Sequence, residues 1–271
     1  MPRALFALAL LLLPLRPLMA AESLALSFGG KQHSYSAAEL LARPDAQVIN
    51  VPEDVSYRRP MTYRAVPLLG LLGNVTSSDD DTIEARAADG FVSQIPLQLI
   101  EKGAEGGSVA WVAVEDPAHP WPSLPGKDVS AGPFYVVWKD PQRSRVGTEL
   151  WPYQTVALTG AESPSHRWPQ MQVAADLPPE APARHGQSVF TTQCMPCHRI
   201  KGAGAAEVGP DLGVPMNPTQ YLTPEGLRAL IRNPKSVRTW PQQQMPGFSD
   251  KALSDADLDA VIAYLTHMAQ R

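Results

Sequence analysis

Cys194-Met195-Pro196-Cys197-His198 is the stretch that most constrains what this chain can become. Two cysteines separated by two residues and followed at once by histidine form the attachment pattern for a c-type haem. Both thiols can reach the vinyl edges of one porphyrin, and the adjoining histidine is carried under the ring, where its imidazole can ligate iron. Cys194 and Cys197 are the only cysteines among 271 residues, so the expected cofactor is one haem c, bonded covalently through both. A thioredoxin-like disulfide would need a strand before the motif and a helix after it, and the sequence after Cys197 is glycine-rich instead.

Residues 1–20 read as a secretory signal. Arg3 supplies the positive start, Ala4 to Leu13 the apolar run, and Pro14 breaks it ahead of Leu18-Met19-Ala20-Ala21, with cleavage near Ala20 or Ala21. The run is short for a bilayer span; left uncleaved, it would keep the protein membrane-associated. No later stretch is long and apolar enough to cross, so the expected location is the periplasm, with no membrane span after cleavage. Hydrophobic residues make up 44%, enough for two modest cores, while 28 prolines favour short strands, turns and extended loops over long helices. Charge is uneven: residues 21–183 hold 12 Lys and Arg against 20 Asp and Glu, and residues 184–271 hold 9 against 7. No basic stripe with interleaved aromatics is present, so nucleic acid is not an expected partner.

Residues 22–172 read as a strand-rich α+β domain. Leu24 to Phe28, Val48 to Val51, Thr82 to Ala87, Phe91 to Ile95, Ser108 to Val114, Pro133 to Lys139 and Trp151 to Leu158 carry strand patterns, and Ala88-Asp89-Gly90 marks a hairpin. Ser36 caps a short helix, and a second short helix stops at Gly73. The succession Tyr63-Arg64-Ala65-Val66-Pro67-Leu68, Ala88-Asp89-Gly90-Phe91 and Ile95-Pro96-Leu97 resembles the molybdopterin-binding fold of sulfite-oxidase-like proteins, over about Ser34 to Leu158. That family holds molybdenum through a cysteine thiolate. No cysteine occurs here, so the resemblance implies the fold without molybdopterin or a working molybdenum centre. His33, His119 and His166 have no metal-ligand spacing and read as surface residues.

Residues 173–183, with Leu177-Pro178-Pro179-Glu180-Ala181-Pro182-Ala183, read as a proline-rich, semi-rigid linker. Beyond it, residues 184–271 resemble class I c-type cytochromes, an all-α fold. The resemblance rests on Gly186 and Phe190, the attachment motif, Gly209-Pro210-Asp211-Leu212, Met245-Pro246 and a closing helix with Tyr264-Leu265. It implies that Pro210 offers its carbonyl to the second nitrogen of His198, fixing the imidazole. A thioether on the side opposite His198 raises the potential and closes the sixth position. Met245, in a loop without helical periodicity, is the leading ligand and Met216 the runner-up. Thr223 and Ser254 cap two further helices, the first helix is expected to cross the last where Gly186 lets Tyr264 approach, and His267 reads as surface.

The expected function is an exported monohaem cytochrome that carries single electrons between periplasmic redox proteins, a dehydrogenase or a terminal oxidase, with a non-catalytic first domain for docking. In the alternative, the first domain binds a cofactor or small anionic substrate, through Arg58, Arg59 and Arg64, and the haem accepts its electrons; the protein would then be an oxidoreductase. A haem sensor with a labile sixth site is a third reading.

Overall fold

The computed structural model describes residues 23–75 and 79–271, and the signal read in residues 1–20 lies outside them. Alternation sets the first elements: in Ser23–Phe28 (β1) Leu24, Leu26 and Phe28 are buried, and the chain turns back at Gly29-Gly30 into Lys31–Ser36 (β2). Ser36 caps Ala37–Leu41 (α1) with a full capping box, its hydroxyl accepting from the Glu39 amide and the Glu39 carboxylate from the Ser36 amide. Gln47–Val51 (β3) and Met61–Pro67 (β4) follow, and β4 runs into Leu68–Leu72 (α2). Thr82–Ala87 (β5) and Val92–Pro96 (β6) form the hairpin read at Ala88-Asp89-Gly90 and lead to Leu97–Glu101 (α3). Val109–Val114 (β7) and Phe134–Lys139 (β8) are apolar runs buried on both faces. The last strand is Thr155–Ala161 (β9), later than the sequence pattern placed it, because Trp151 and Pro152 pack as a turn beneath β8 instead.

The strands make two sheets, ordered β2-β1-β9-β5-β6 and β3-β4-β7-β8. All pairings are antiparallel except β1 with β9. One core joins both sheets around Tyr63, Phe134, Tyr135 and Trp138. After Pro164–Arg167 (α4) the chain becomes helical: Pro182–Val189 (α5), Pro224–Arg232 (α6), Pro234–Val237 (α7) and Asp255–Ala269 (α8). Thr223 caps α6 by accepting from the Gly226 amide, and Ser254 caps α8 by accepting from the Asp257 amide.

The helical half is held by the crossing of α5 and α8. A Cβ on Gly186 would strike the Ala260 carbonyl and come within 2.8 Å of Tyr264 Cβ, so only glycine fits. Beside it, His185 Nε2 donates to Asp257 at 2.6 Å. Phe190 and Tyr264 pack with ring centroids 5.2 Å apart, and the Tyr264 hydroxyl donates to the Met171 carbonyl at 2.6 Å.

Residues 173–183, read as a semi-rigid linker, lie against the helical half. Met171 and Val173 are buried in the core of the helical half. The Val173 amide donates to Gln187 Oε1 and the Ala174 amide to His267 Nε2, both at 3.0 Å. Arg184 spreads its guanidinium over the carbonyls of Ala174, Ala175, Leu177 and Pro178. Proline makes the segment stiff, and stiffness exposes a row of unpaired carbonyls that one arginine fork can collect. His267, read as surface, is thus a fastening point for this strap.

Gly186→Val is expected to cost about 3 kcal/mol in denaturant unfolding of the haem-loaded protein through overpacking of the crossing. The Ser254 hydroxyl first, then His185, holds the Asp257 carboxyl below the usual carboxylate range. Its contribution is therefore complete above that range and is lost as pH falls through the folded value. Asp257→Asn should lower stability at neutral pH and flatten the acid end of the stability curve, measured by unfolding across pH.

Candidate functional site

The attachment motif is shaped by the end of α5. Thr191 and Thr192 donate back to the carbonyls of Gln187 and Ser188, at 2.8 and 3.0 Å, and the helix widens into one π turn over Phe190–Cys194. The Cys194 carbonyl then accepts from the Cys197 and His198 amides, at 3.1 and 2.9 Å, closing the motif into a tight turn. Met195 anchors this turn in the core, and Cys194 packs at the edge of the same cluster. Burial pushes both thiols up to about 12, with Glu149 adding to the effect at Cys194 and Asp89 and Glu149 adding to it at Cys197. At neutral pH they are thiols, not thiolates.

His198 Nδ1 lies 2.9 Å from the Pro210 carbonyl. A carbonyl only accepts, so Nδ1 carries the proton and Nε2 keeps its lone pair for a metal. Burial holds the imidazole below its usual pKa, which favours the neutral, ligating form. Gly209 lies flat on the ring: a Cβ there would be 2.5 Å from Cε1 and 2.6 Å from Nδ1. The loop that presents Gly209 and Pro210 is organised by Asp211, whose carboxylate accepts from the amides of Lys201, Gly202, Gly213 and Val214 at 2.7 to 3.2 Å. Sequence reading took Asp211 only as a mark of resemblance. Its position among Gly202, Gly204, Gly209 and Gly213, where many loop amides need an acceptor, was the available signal.

Met245 packs against the core of the helical half, as Cys194 and Leu212 do, whereas Met216 is 50% exposed and outside it. Near Met245, the buried Gln243 Nε2 has no hydrogen-bond partner. Five large apolar side chains, Val214, Met216, Tyr221, Val237 and Trp240, are exposed within one stretch of the helical half. Two thiols, an imidazole with a free Nε2 and a partly buried methionine fit a covalently attached haem.

The first domain touches the motif directly. β6 is an edge strand, and its Val92 amide donates to the Pro196 carbonyl, inside the motif, at 2.9 Å. The Gly90 carbonyl accepts from Glu207 at 3.1 Å, and Arg86 reaches the Ala205 carbonyl at 3.3 Å. With its amide nitrogen facing Glu149, Gln193 donates to both carboxylate oxygens, at 2.8 and 3.1 Å. Sequence named Asp89 only within the Ala88-Asp89-Gly90 turn and did not name Glu149, because only the fold brings either to the attachment motif.

The remaining residues named from sequence do not converge. Arg64 donates to the Leu41 carbonyl, Arg58 and Arg59 are exposed, His33 stacks on Tyr35, His119 faces Asp116, and His166 lies on α4. Residues 183–269 match the family model for cytochrome c. This part of the chain is a c-type cytochrome domain, which implies haem c and electron carriage. No curated protein matches the chain. Among the described residues, no helix is long and apolar enough to cross a membrane.

Asp211→Ala leaves four loop amides without their acceptor and is expected to cost about 3 kcal/mol. Denaturant unfolding of the loaded protein measures it. The haem absorption spectrum should broaden as Pro210 and His198 lose their fixed alignment.

Proposed function

We propose that the protein is an exported monohaem cytochrome that exchanges single electrons with periplasmic redox proteins, a dehydrogenase on one side or a terminal oxidase on the other. The observation that carries this reading is His198 held by Pro210 beside two cysteines, with a partly buried methionine packed against the core of the same helical half. Cys194 and Cys197 would hold the haem covalently; His198 and Met245 would ligate it. When bound, haem c supplies reversible one-electron chemistry.

The chain's own residues set the terms of that exchange. Pro210 fixes the tautomer of His198 and strengthens its donation. Gly209 admits the ring at van der Waals distance, and Asp211 keeps both in place. Met245 would offer its thioether to the iron, which would favour the reduced state and exclude small ligands. Val214, Tyr221 and Trp240 would keep water from the ring. The first domain, of sulfite-oxidase-like fold without molybdopterin, serves in this reading as a docking module rather than a catalytic one; the chain holds no cysteine beyond the two of the motif.

Met245→Ala is expected to abolish the sulfur-to-iron absorption band of the oxidised protein and to lower its potential, while Met216→Ala leaves both unchanged. Persistence of the band in Met245→Ala, with loss in Met216→Ala, would reassign the ligand.

A further inference from the structure

The contact between the two domains falls on the attachment motif itself, and at its centre is a carboxylate from the first domain. Glu149 lies in the short helical turn Thr148–Leu150, just before Trp151, which is buried in the first domain's core. Its backbone is pinned: the Glu149 carbonyl accepts from the Ser93 hydroxyl, on β6, at 2.9 Å. Its side chain accepts from the Thr148 hydroxyl at 2.8 Å and from the Gln193 amide at 2.8 and 3.1 Å. Gln193 immediately precedes Cys194. No lysine or arginine pairs with Glu149 among the described ion pairs, so its charge is not neutralised locally.

We propose that Glu149 is a positioning residue by which the first domain places a fixed negative charge beside the two haem-bearing cysteines and lowers the reduction potential of the haem domain. This rests on covalent attachment at Cys194 and Cys197. The oxidised haem carries one more positive charge than the reduced, so a nearby carboxylate stabilises the oxidised form. Glu149 is bonded to Gln193, the residue directly before Cys194, which places its carboxylate beside the attachment turn, where both cysteines are partly buried. Burial raises the Glu149 carboxyl above the usual carboxylate range, and the hydrogen bonds donated by Thr148 and Gln193 oppose that rise. Asp89 also acts on Cys197, but it lies in an exposed turn where solvent screens it. The thioether of Met245 pulls the potential up from within the haem domain, and Glu149 pulls it down from outside.

The test is a spectroelectrochemical titration of the full-length, haem-loaded protein at neutral pH. Glu149→Gln keeps the shape and removes the charge. Its ferric-to-ferrous equilibrium should move toward the reduced form by about tenfold, or about 59 mV for one electron. Glu149→Asp, which keeps the charge, should stay within about twofold of the wild type. An unchanged potential in Glu149→Gln, or an equal shift in Glu149→Asp, overturns the proposal, since a packing role alone would produce either. If Glu149→Gln does not load haem, the isosteric pair Glu149→Asp and Glu149→Asn asks the same question. Covalent haem on denaturing gels is checked first: its absence in the wild type defeats the attachment reading, whereas a loaded protein with an unmoved potential defeats this inference alone.

Discussion

The hydrogen bond from Val92 to Pro196 is the interaction on which the rest of the molecule turns. An edge strand presents unpaired amides and carbonyls that must be satisfied or shielded. Here β6 meets the haem-attachment turn, so the edge of one domain is closed by the functional segment of the other. Gly90 with Glu207 and Arg86 with Ala205 extend the same seam along the glycine-rich loop that leads to Pro210. The consequence is that the first domain is built onto the haem site, on the side that carries the cysteines. A linker that left the domains free would not hold this register, which accounts for the strap fastened by Arg184 and His267.

The two halves of the helical domain share their tasks unequally. The side of His198 is fixed by the chain itself: four amides on Asp211, a carbonyl on Nδ1 and a glycine against the ring hold the imidazole. The side of Met245 depends on loops, with Trp240 exposed beside Arg238 and only partial burial of the methionine itself. Such a division suits a site where one ligand is set by the attachment turn and the other closes over the cofactor afterwards.

Much of this was legible in the sequence, and the limits have physical causes. Capping signals are local, so Ser36, Thr223 and Ser254 could be read directly, and so could the Gly186 crossing, because a helix contact that close tolerates no side chain. The π turn was hidden in Thr191 and Thr192, whose back-bonding to the preceding turn depends on rotamers rather than on pattern. The stiffness of the strap could be read from its prolines, but proline content says nothing of what a stiff segment lies against. Glu149 was invisible for another reason: it is remote in sequence from Cys194 and meets it only through the pairing of domains. The strand-rich character of the first domain could be read from alternation, while the parallel pairing of β1 with β9 joins the two ends of the domain and has no local signal.

The central claim is that His198 and a chain thioether together close the haem to outside ligands, leaving it able only to pass electrons. The most direct measurement is to add carbon monoxide to the reduced full-length protein at equilibrium and follow the haem absorption. The expected result is an unchanged spectrum, because in the proposed reading His198 and Met245 would both ligate the iron. A prompt shift to a carbon monoxide-bound spectrum would contradict it and would make this a haem with an open or labile sixth site.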